Sequence, residues 1–334
     1  MSRAPKLPKI DADERFLAQV AWAYHVEGLT QEQVADKLQV TRLRVNKALS
    51  EARRNGLVRI TLNTSFSACP ELEEGLCKAF SLAEAFVAPS PERAADLQMI
   101  IGAALGQVLS SKLADQGIRT FGLTWGNTLN IATRFVASFN RHDLEIVSVM
   151  GGLTRGSDFN SFEITTRLAD LLGAQHSYFP APLYAGSRRS RDTIMKLDVF
   201  DEVLDKIRKI DGMAVACSDI SARSLLVRDG LPSDVKPADL IKAGAVGDVL
   251  GTIIGANGEP IDHPINERIV GIGLDDMRRI PNTILAAGGA YKVPVIRAAL
   301  RQRLARILVT DETTARALLA QKAQTVAERS AVDP

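Results

Sequence analysis

Four glycine-bearing stretches carry hydroxyl, carboxylate or cationic side chains at spacings that suit capture of a small polyhydroxylated anion. The first is Gly122-Leu123-Thr124-Trp125-Gly126-Asn127-Thr128, where an apolar run gives way to polar residues. Glycine lets the backbone approach a ligand closely, Thr124 and Thr128 offer hydroxyls, and the N-terminus of a following helix attracts negative charge. The stretch is neither a Walker loop nor a GxGxxG fingerprint, and a tight strand-to-helix turn with Trp125 packed inward explains it equally well. The second, Gly151-Gly152-Leu153-Thr154-Arg155, adds a guanidinium able to grip an anion. The third, Gly244-Ala245-Val246-Gly247-Asp248, ends in a carboxylate that can accept bonds from sugar hydroxyls. The fourth, Gly288-Gly289-Ala290-Tyr291-Lys292, ends in an ammonium suited to a phosphate or carboxylate, and Cys217-Ser218-Asp219 is a candidate for the same rim. Turn glycines and solvated charges account for each stretch singly. Together they predict one pocket lined by Thr124, Trp125, Gly126, Asn127, Thr128, Gly152, Arg155, Asp219, Asp248, Gly289 and Lys292.

A second set of residues suits a different partner. In Arg42–Arg54, the residues Val45, Ala48, Leu49 and Ala52 fall at i, i+3, i+4 and i+7 and define a buried helical stripe. At about 100° per residue, Leu43, Lys47, Ser50 and Arg54 point away from that stripe, with Arg44 and Asn46 on its flanks. Arginine and lysine pair with guanine edges or phosphates, asparagine with adenine, and an exposed leucine with a thymine methyl. Arg42, Leu43, Arg44, Asn46, Lys47 and Ser50 are therefore candidates for DNA contact, with Arg53 and Arg54 on phosphates. The plain alternative is a solvated charged face on an ordinary helical pair.

The elements that must position these side chains are legible on either side. Thr30 can cap a helix with Gln33 reaching back as in a capping box, and Val34, Ala35 and Leu38 give that helix an apolar side. Gln39-Val40 makes a short turn, and Thr41 can cap the Arg42–Arg54 helix. An earlier helix is predicted over Asp13–Glu27, with Phe16, Leu17, Val20, Ala21 and Tyr24 facing inward. Asn55-Gly56 is a helix stop, and the alternation in Leu57–Leu62 predicts a strand, which makes the motif a winged helix-turn-helix. The domains predicted are a DNA-binding head over 1–62, a linker and helix over 63–80, and a ligand-binding body over 81–325.

Within the body, short apolar runs alternate with helical stretches. Strands are expected at 85–87, 119–124, 145–150, 177–179, 212–217, 249–254, 283–287 and 306–309. Helices are expected at 94–116, 127–140, 162–172, 192–209 and 293–303. That order predicts a doubly wound, mostly parallel α/β sheet, whose ligands bind beyond the carboxyl ends of the strands. The charge agrees: residues 1–60 carry a net +4 and the remainder a net −2, within a chain of +2. Cys69, Cys77 and Cys217 form no CxxC pair, and the four histidines are dispersed, so neither metal nor cofactor is expected. No apolar run approaches the roughly 20 residues of a membrane span and the first residues lack a signal-peptide core, so a cytoplasmic protein is expected.

These motifs together resemble the SorC family of bacterial sugar-responsive transcriptional regulators, over about Phe16 to Leu319. The head matches through Gly28–Gln31, Val34-Ala35, Leu38, Thr41-Arg42, Ala52-Arg53 and Asn55–Ile60. The body matches through Gly122–Leu129, Met150–Gly152, Gly244–Asp248, Gly288-Gly289 with Lys292, Ala298–Leu300 and Leu308–Glu312. The chain departs from the usual pattern at Asn46-Lys47, where Ser-Arg is common, and at Cys217–Asp219, which replaces a turn that more often contains glycine. The resemblance implies an effector domain similar to sugar-phosphate isomerases that binds rather than turns over its ligand. It also implies a homo-oligomer, commonly a tetramer, and repression of an operator by paired heads. Thr124–Thr128 would lie near the effector's phosphate or terminal hydroxyl, with Gly152, Asp248 and Lys292 completing the site. A sugar-phosphate isomerase-like enzyme with a fused DNA-binding head is the alternative, with Asp219, Asp248, Asp275 and Asp276 as its available carboxylates. A sigma-like promoter reader is a third reading, disfavoured by the large body.

Overall fold

The described residues of the N-terminal unit form three helices: α1 (Ala12–His25), α2 (Gln31–Leu38) and α3 (Arg42–Arg54). The computed structural model describes residues 12–58, 69–153 and 160–320, and the chain divides into Met1–Asn63 and Thr64–Pro334. The capping box forms as the Thr30/Gln33 spacing requires: Gln33 N–H donates to Thr30 Oγ1 at 3.3 Å and Thr30 N–H to Gln33 Oε1 at 2.8 Å. Gln39 enters the left-handed region at φ +54°, and Thr41 Oγ1 accepts from Arg44 N–H at 3.3 Å to start α3. Val20, Val34, Ala35, Val45, Ala48, Leu49 and Ala52 are buried together, so the periodic apolar stripes are the core of this helix-turn-helix. Ala23 joins them, a position the inward-facing set of α1 did not include. Most of the strand expected over 57–62, and so the wing, lies outside the described residues, as does most of the linker.

The first described helix of the C-terminal unit is α4 (Pro70–Phe80), whose proline occupies the first helical position, where its missing N–H costs nothing. There follow β1 (Glu84–Ala88), α5 (Leu97–Ala114), β2 (Thr120–Leu123), α6 (Asn127–Ala132) and β3 (Glu145–Ser148). Next come α7 (Ser161–Leu172), β4 (Gln175–Ser177), α8 (Arg188–Ile194), α9 (Asp201–Arg208), β5 (Gly212–Val215) and β6 (Cys217–Ser218). The last part holds α10 (Pro237–Lys242), β7 (Gly247–Val249), β8 (Thr252–Ile254), α11 (Leu274–Arg279), β9 (Asn282–Ala286), α12 (Val293–Arg301) and β10 (Ile307–Asp311).

Seven of these strands form one parallel sheet in the order β1-β10-β9-β5-β2-β3-β4. Side chains alternate across it. Met213, Val215, Leu285 and Leu308 enter the apolar layer under α4, α9 and α12, while Phe121, Ala214, Ile284 and Val309 enter the layer under α5, α6 and α7. Burial on both faces explains why these strands read as continuous apolar runs. The segment Ala94–Ala114 has the length and composition of a membrane span, contrary to expectation, but half of it is buried against this sheet and α6.

Several expected elements divide. The strand read over 249–254 is two antiparallel strands, because Leu250 (φ +56°) and Gly251 (φ +75°) reverse the chain between β7 and β8. β6 pairs with β7 rather than continuing β5, so the run 212–217 changes sheets at Ala216. The helix read over 127–140 stops at Ala132, where i→i+3 bonds from Arg134 and Phe135 tighten the last turn. The helix over 192–209 is α8 and α9, separated by a 3₁₀ turn at Asp198–Phe200.

Candidate functional site

The chain runs from β2 outward through β3 and β4, then returns to place β5 on the other side of β2. The carboxyl ends of β2 and β5 thus flank a topological switch point, where an open parallel sheet leaves a crevice. A cavity of about 190 Å³ opens there. From β2 it receives Thr124, Trp125, Gly126, Asn127 and Thr128, and from the β5–β6 junction Ala216, Cys217, Ser218 and Asp219. The β7–β8 turn adds Asp248, Leu250 and Gly251, and the segment before α12 adds Tyr291 and Lys292.

The β2 wall is set by backbone geometry. Thr124 N–H donates to Ala214 O at 3.4 Å, extending the β2–β5 pairing by one residue. Gly126 sits at φ +136°, ψ 153°, a conformation open only to glycine. It turns the chain into α6, so that Asn127 Nδ2 donates to Gln98 Oε1 at 2.6 Å. Thr124 is 2% exposed and its Oγ1 has no hydrogen-bond partner among the described residues. Asp219, which lines the same cavity, is 8% exposed, and its Oδ1 likewise has no partner among the described residues. Buried polar atoms without partners are costly, so two at one cavity point to hydrogen bonds completed from within it.

Asp248 is held differently. Its Oδ1 accepts from Ser218 Oγ, which in turn accepts from Ser224 Oγ at 3.2 Å. Its Oδ2 accepts from Gly251 N–H at 3.1 Å. Burial nevertheless pushes the carboxyl up to about 6, against the pull of Ser218, Gly251 and the Lys292 charge. Tyr184 donates its phenol to Gly251 O at 2.5 Å and pins the turn from outside. Burial, then the neighbouring Asp248 charge, raises that phenol well above its usual range, so it remains a donor. The Cys217 thiol is pushed up to about 12, chiefly by burial, and stays protonated.

Cations line the cavity as well. Lys292 is 9% exposed and forms no ion pair with a described residue; its Nζ lies 6.0 Å from the Tyr291 ring centroid. The Arg223 guanidinium stacks over the same ring at 4.7 Å, and Arg228 pairs with Asp229 at 2.8 Å. Carboxylates, hydroxyls and the buried Lys292 ammonium lining one cavity suit a small hydroxylated molecule with an electron-rich end.

Eight of the eleven residues expected to bind the ligand line this cavity: Thr124, Trp125, Gly126, Asn127, Thr128, Asp219, Asp248 and Lys292. Gly152 and Gly289 do not. Gly152 exchanges backbone bonds with Ala181 and Leu183, and a Cβ there would lie 2.5 Å from Asn160 Oδ1, so its glycine serves packing. Gly289 sits at φ +103° and donates its N–H to Thr314 Oγ1 at 2.7 Å, turning the chain toward Lys292. Arg155 lies outside the described residues. Asp275 and Asp276, available to the enzyme reading, sit on α11 away from the cavity, paired with Arg278 and Arg279. Sequence reasoning missed Gln98, Met150, Arg223, Ser224, Leu225, Arg228, Leu250 and Gly251 as lining residues. No local pattern marks them, because they converge from separate segments.

In the N-terminal unit, Arg42, Leu43, Arg44, Asn46, Lys47, Ser50 and Arg53 are all exposed along α3; the side chain of Arg54 is outside what is described. Three are less free than expected. The Arg44 guanidinium lies 4.7 Å over the Phe16 ring of α1, Ser50 Oγ donates to Asn46 O at 3.0 Å, and Arg53 Nε donates to Leu49 O at 3.3 Å.

A helix-turn-helix on one chain with a doubly wound domain, its cavity at the switch point, defines a ligand-responsive transcriptional regulator. Residues 64–320 match the family model described as "Putative sugar-binding domain". The chain is 28% identical to the erythritol catabolism regulatory protein EryD of Brucella abortus (strain 2308), covering 93% of this chain and 98% of that one. It is 31% identical to the transcriptional regulator LsrR of Escherichia coli (strain SMS-3-5 / SECEC), covering 92% and 95%. Its fold matches the full-length sorbitol operon regulator SorC from Klebsiella pneumoniae with a TM-score of 0.68, at 22% identity over 92% of this chain and 100% of that one. The chain belongs to the SorC family of sugar-binding transcriptional regulators.

Proposed function

We propose that this chain is a repressor of a carbohydrate or polyol catabolic operon, and that a sugar, sugar phosphate or polyol filling the cavity releases the operator. The observation that carries this reading is a pair of buried atoms lining one cavity, Thr124 Oγ1 and Asp219 Oδ1, neither of which has a hydrogen-bond partner among the described residues. Hydroxyls can satisfy both, donating to Asp219 and exchanging with Thr124, while Lys292 and Arg223 meet a phosphate or an electron-rich end. Regulation of erythritol catabolism, the role named for EryD, makes four-carbon polyols and their phosphates natural first probes.

A ligand shifts DNA binding only through its differential affinity for two arrangements of the protein. Paired heads must meet half-sites about one helical turn, or a multiple of it, apart. The chain accordingly acts as a homo-oligomer, a tetramer in this reading, in the cytoplasm, and ligand-dependent repacking of subunits changes the spacing of its heads. The enzyme alternative draws support from the Asp248 carboxyl, whose value near 6 suits proton transfer. Both its oxygens are already engaged by Ser218 and Gly251, which favours a positioning role.

The test is a thermal-shift screen of the purified chain against sugars, polyols and their phosphates, followed by operator binding and turnover assays with any hit. A ligand specific to the folded state at 100 times its Kd stabilises by about 2.7 kcal/mol. The expected result is a hit that weakens operator binding and is recovered unchanged. A hit that is converted to product overturns the non-enzymatic reading, and a hit that leaves DNA binding unaltered overturns the regulatory one.

A further inference from the structure

Leu43 is the most exposed large apolar side chain among the described residues, at 78%. It stands at the second position of α3, behind the Thr41 cap, with Arg42, Asn46 and Lys47 exposed beside it. Helix formation does not require leucine there, since lysine, arginine and glutamine have comparable propensity and expose no apolar area. Leu43 contributes nothing to the core of the head, which is complete in Val20, Val34, Ala35, Val45 and Leu49. Meanwhile the structure narrows the set of base readers: Arg44 is held back over Phe16, and Ser50 is bonded to the helix backbone. The first turn of such a helix is the part that meets base edges. On the floor of the major groove, the one apolar feature is the 5-methyl group of thymine.

We infer that Leu43 reads a thymine methyl in each operator half-site, flanked by Arg42 and Lys47. This rests on the proposal that α3 is the recognition helix, and the surrounding positive charge is what selects DNA as the occupant of this apolar spot.

The experiment begins with selection of binding sequences by the full chain from a randomised duplex library. In the best duplex, each thymine is then replaced singly by uracil, which removes only the methyl, and Kd is measured at fixed salt. One thymine per half-site should show a loss of about fourfold with the native chain, the value of one buried methyl. The Leu43→Ala chain should bind the unmodified duplex correspondingly more weakly and be indifferent to uracil at that position. Its exposure makes Leu43→Ala innocuous to folding, which circular dichroism checks. A uracil penalty that persists undiminished in Leu43→Ala overturns the inference, as does the absence of any sensitive thymine. A change of oligomeric state in Leu43→Ala with an unaltered uracil response would assign the residue to a contact between copies instead. Selection of no sequence at all would defeat the operator-binding proposal itself, a different result from selection without a thymine contact.

Discussion

Asp248→Asn separates the stability of the effector domain from its function. The carboxyl is 4% exposed, and burial raises it from an ordinary 3.8 to about 6. A folded value above the unfolded one means that the folded protein favours the protonated acid. Ionisation therefore costs stability: the cost is absent below the unfolded value, grows as the pH rises, and is complete above about 6. At 1.36 kcal/mol per unit, the native domain bears about 3 kcal/mol of destabilisation at pH 8 and roughly half of that at pH 5. Asparagine carries no charge and so no such cost. Its carbonyl oxygen can keep the Gly251 bond, but its NH2 then faces Ser218. That hydroxyl must turn from donor to acceptor while already accepting from Ser224, an exchange that costs about 1 kcal/mol. The net expectation at pH 8 is a variant more stable by about 2 kcal/mol, raising Tm by roughly 4–8 °C. At pH 4 only about 0.5 kcal/mol of the ionisation cost remains, less than the cost of the altered Ser218 contact, so the variant should be slightly less stable and the two curves should cross near pH 4–5. The assay is thermal unfolding followed by circular dichroism at matched ionic strength from pH 4 to 8, with the effector thermal shift measured in parallel. A destabilisation of equal size at every pH would refute the argument, since it would mean that Asp248 contributes only hydrogen bonds.

Replacing Lys292 with alanine should weaken the effector thermal shift at least tenfold in apparent affinity while leaving operator affinity without ligand unchanged; an unaltered titration would remove the lysine from the site. Gly126→Ala forces φ +136° on a residue with a Cβ, so it should cost about 1–3 kcal/mol in Tm measurements and blunt the ligand response. A fully stable, responsive variant would show that the loop conformation is not required. The double replacement of Arg42 and Lys47 with alanine should abolish specific operator binding with oligomeric state and effector shift intact, as read by footprinting. Protection persisting in that variant would contradict the assignment of α3 to DNA.

How far the chain could be read in advance follows the range of the interactions involved. The head was legible because its determinants are local. Thr30 and Gln33 are three residues apart, Thr41 precedes its own helix, and the stripe Val45, Ala48, Leu49 and Ala52 repeats at the helical period. The doubly wound class was legible for the same reason, since strands buried on both faces leave apolar runs. The β7–β8 hairpin was not: Leu250 occupies a left-handed position that turn chemistry reserves for glycine or asparagine, so 249–254 reads as one strand. Gly152 and Gly289 misled because a glycine after a strand looks alike in sequence whether it borders a ligand or a neighbouring atom of the protein.

The candidate cavity divides along the same line. Residue types at the strand ends, such as Thr124, Asp248 and Lys292, were set out by composition and spacing alone, and with them the chemistry of a hydroxylated anion. Their convergence depended on strand order, because only the return of β5 beside β2 opens a crevice at that edge of the sheet. The pairing of Arg223 with Tyr291, the reach of Gln98 to Asn127 and the latch from Tyr184 to Gly251 join residues far apart in the chain. The sequence by itself determined the local elements and the kinds of groups available. The tertiary structure decided which of those groups meet, and the burial that raises Asp248 and leaves Thr124 and Asp219 without partners, because both require water to be excluded by segments that sequence proximity does not connect.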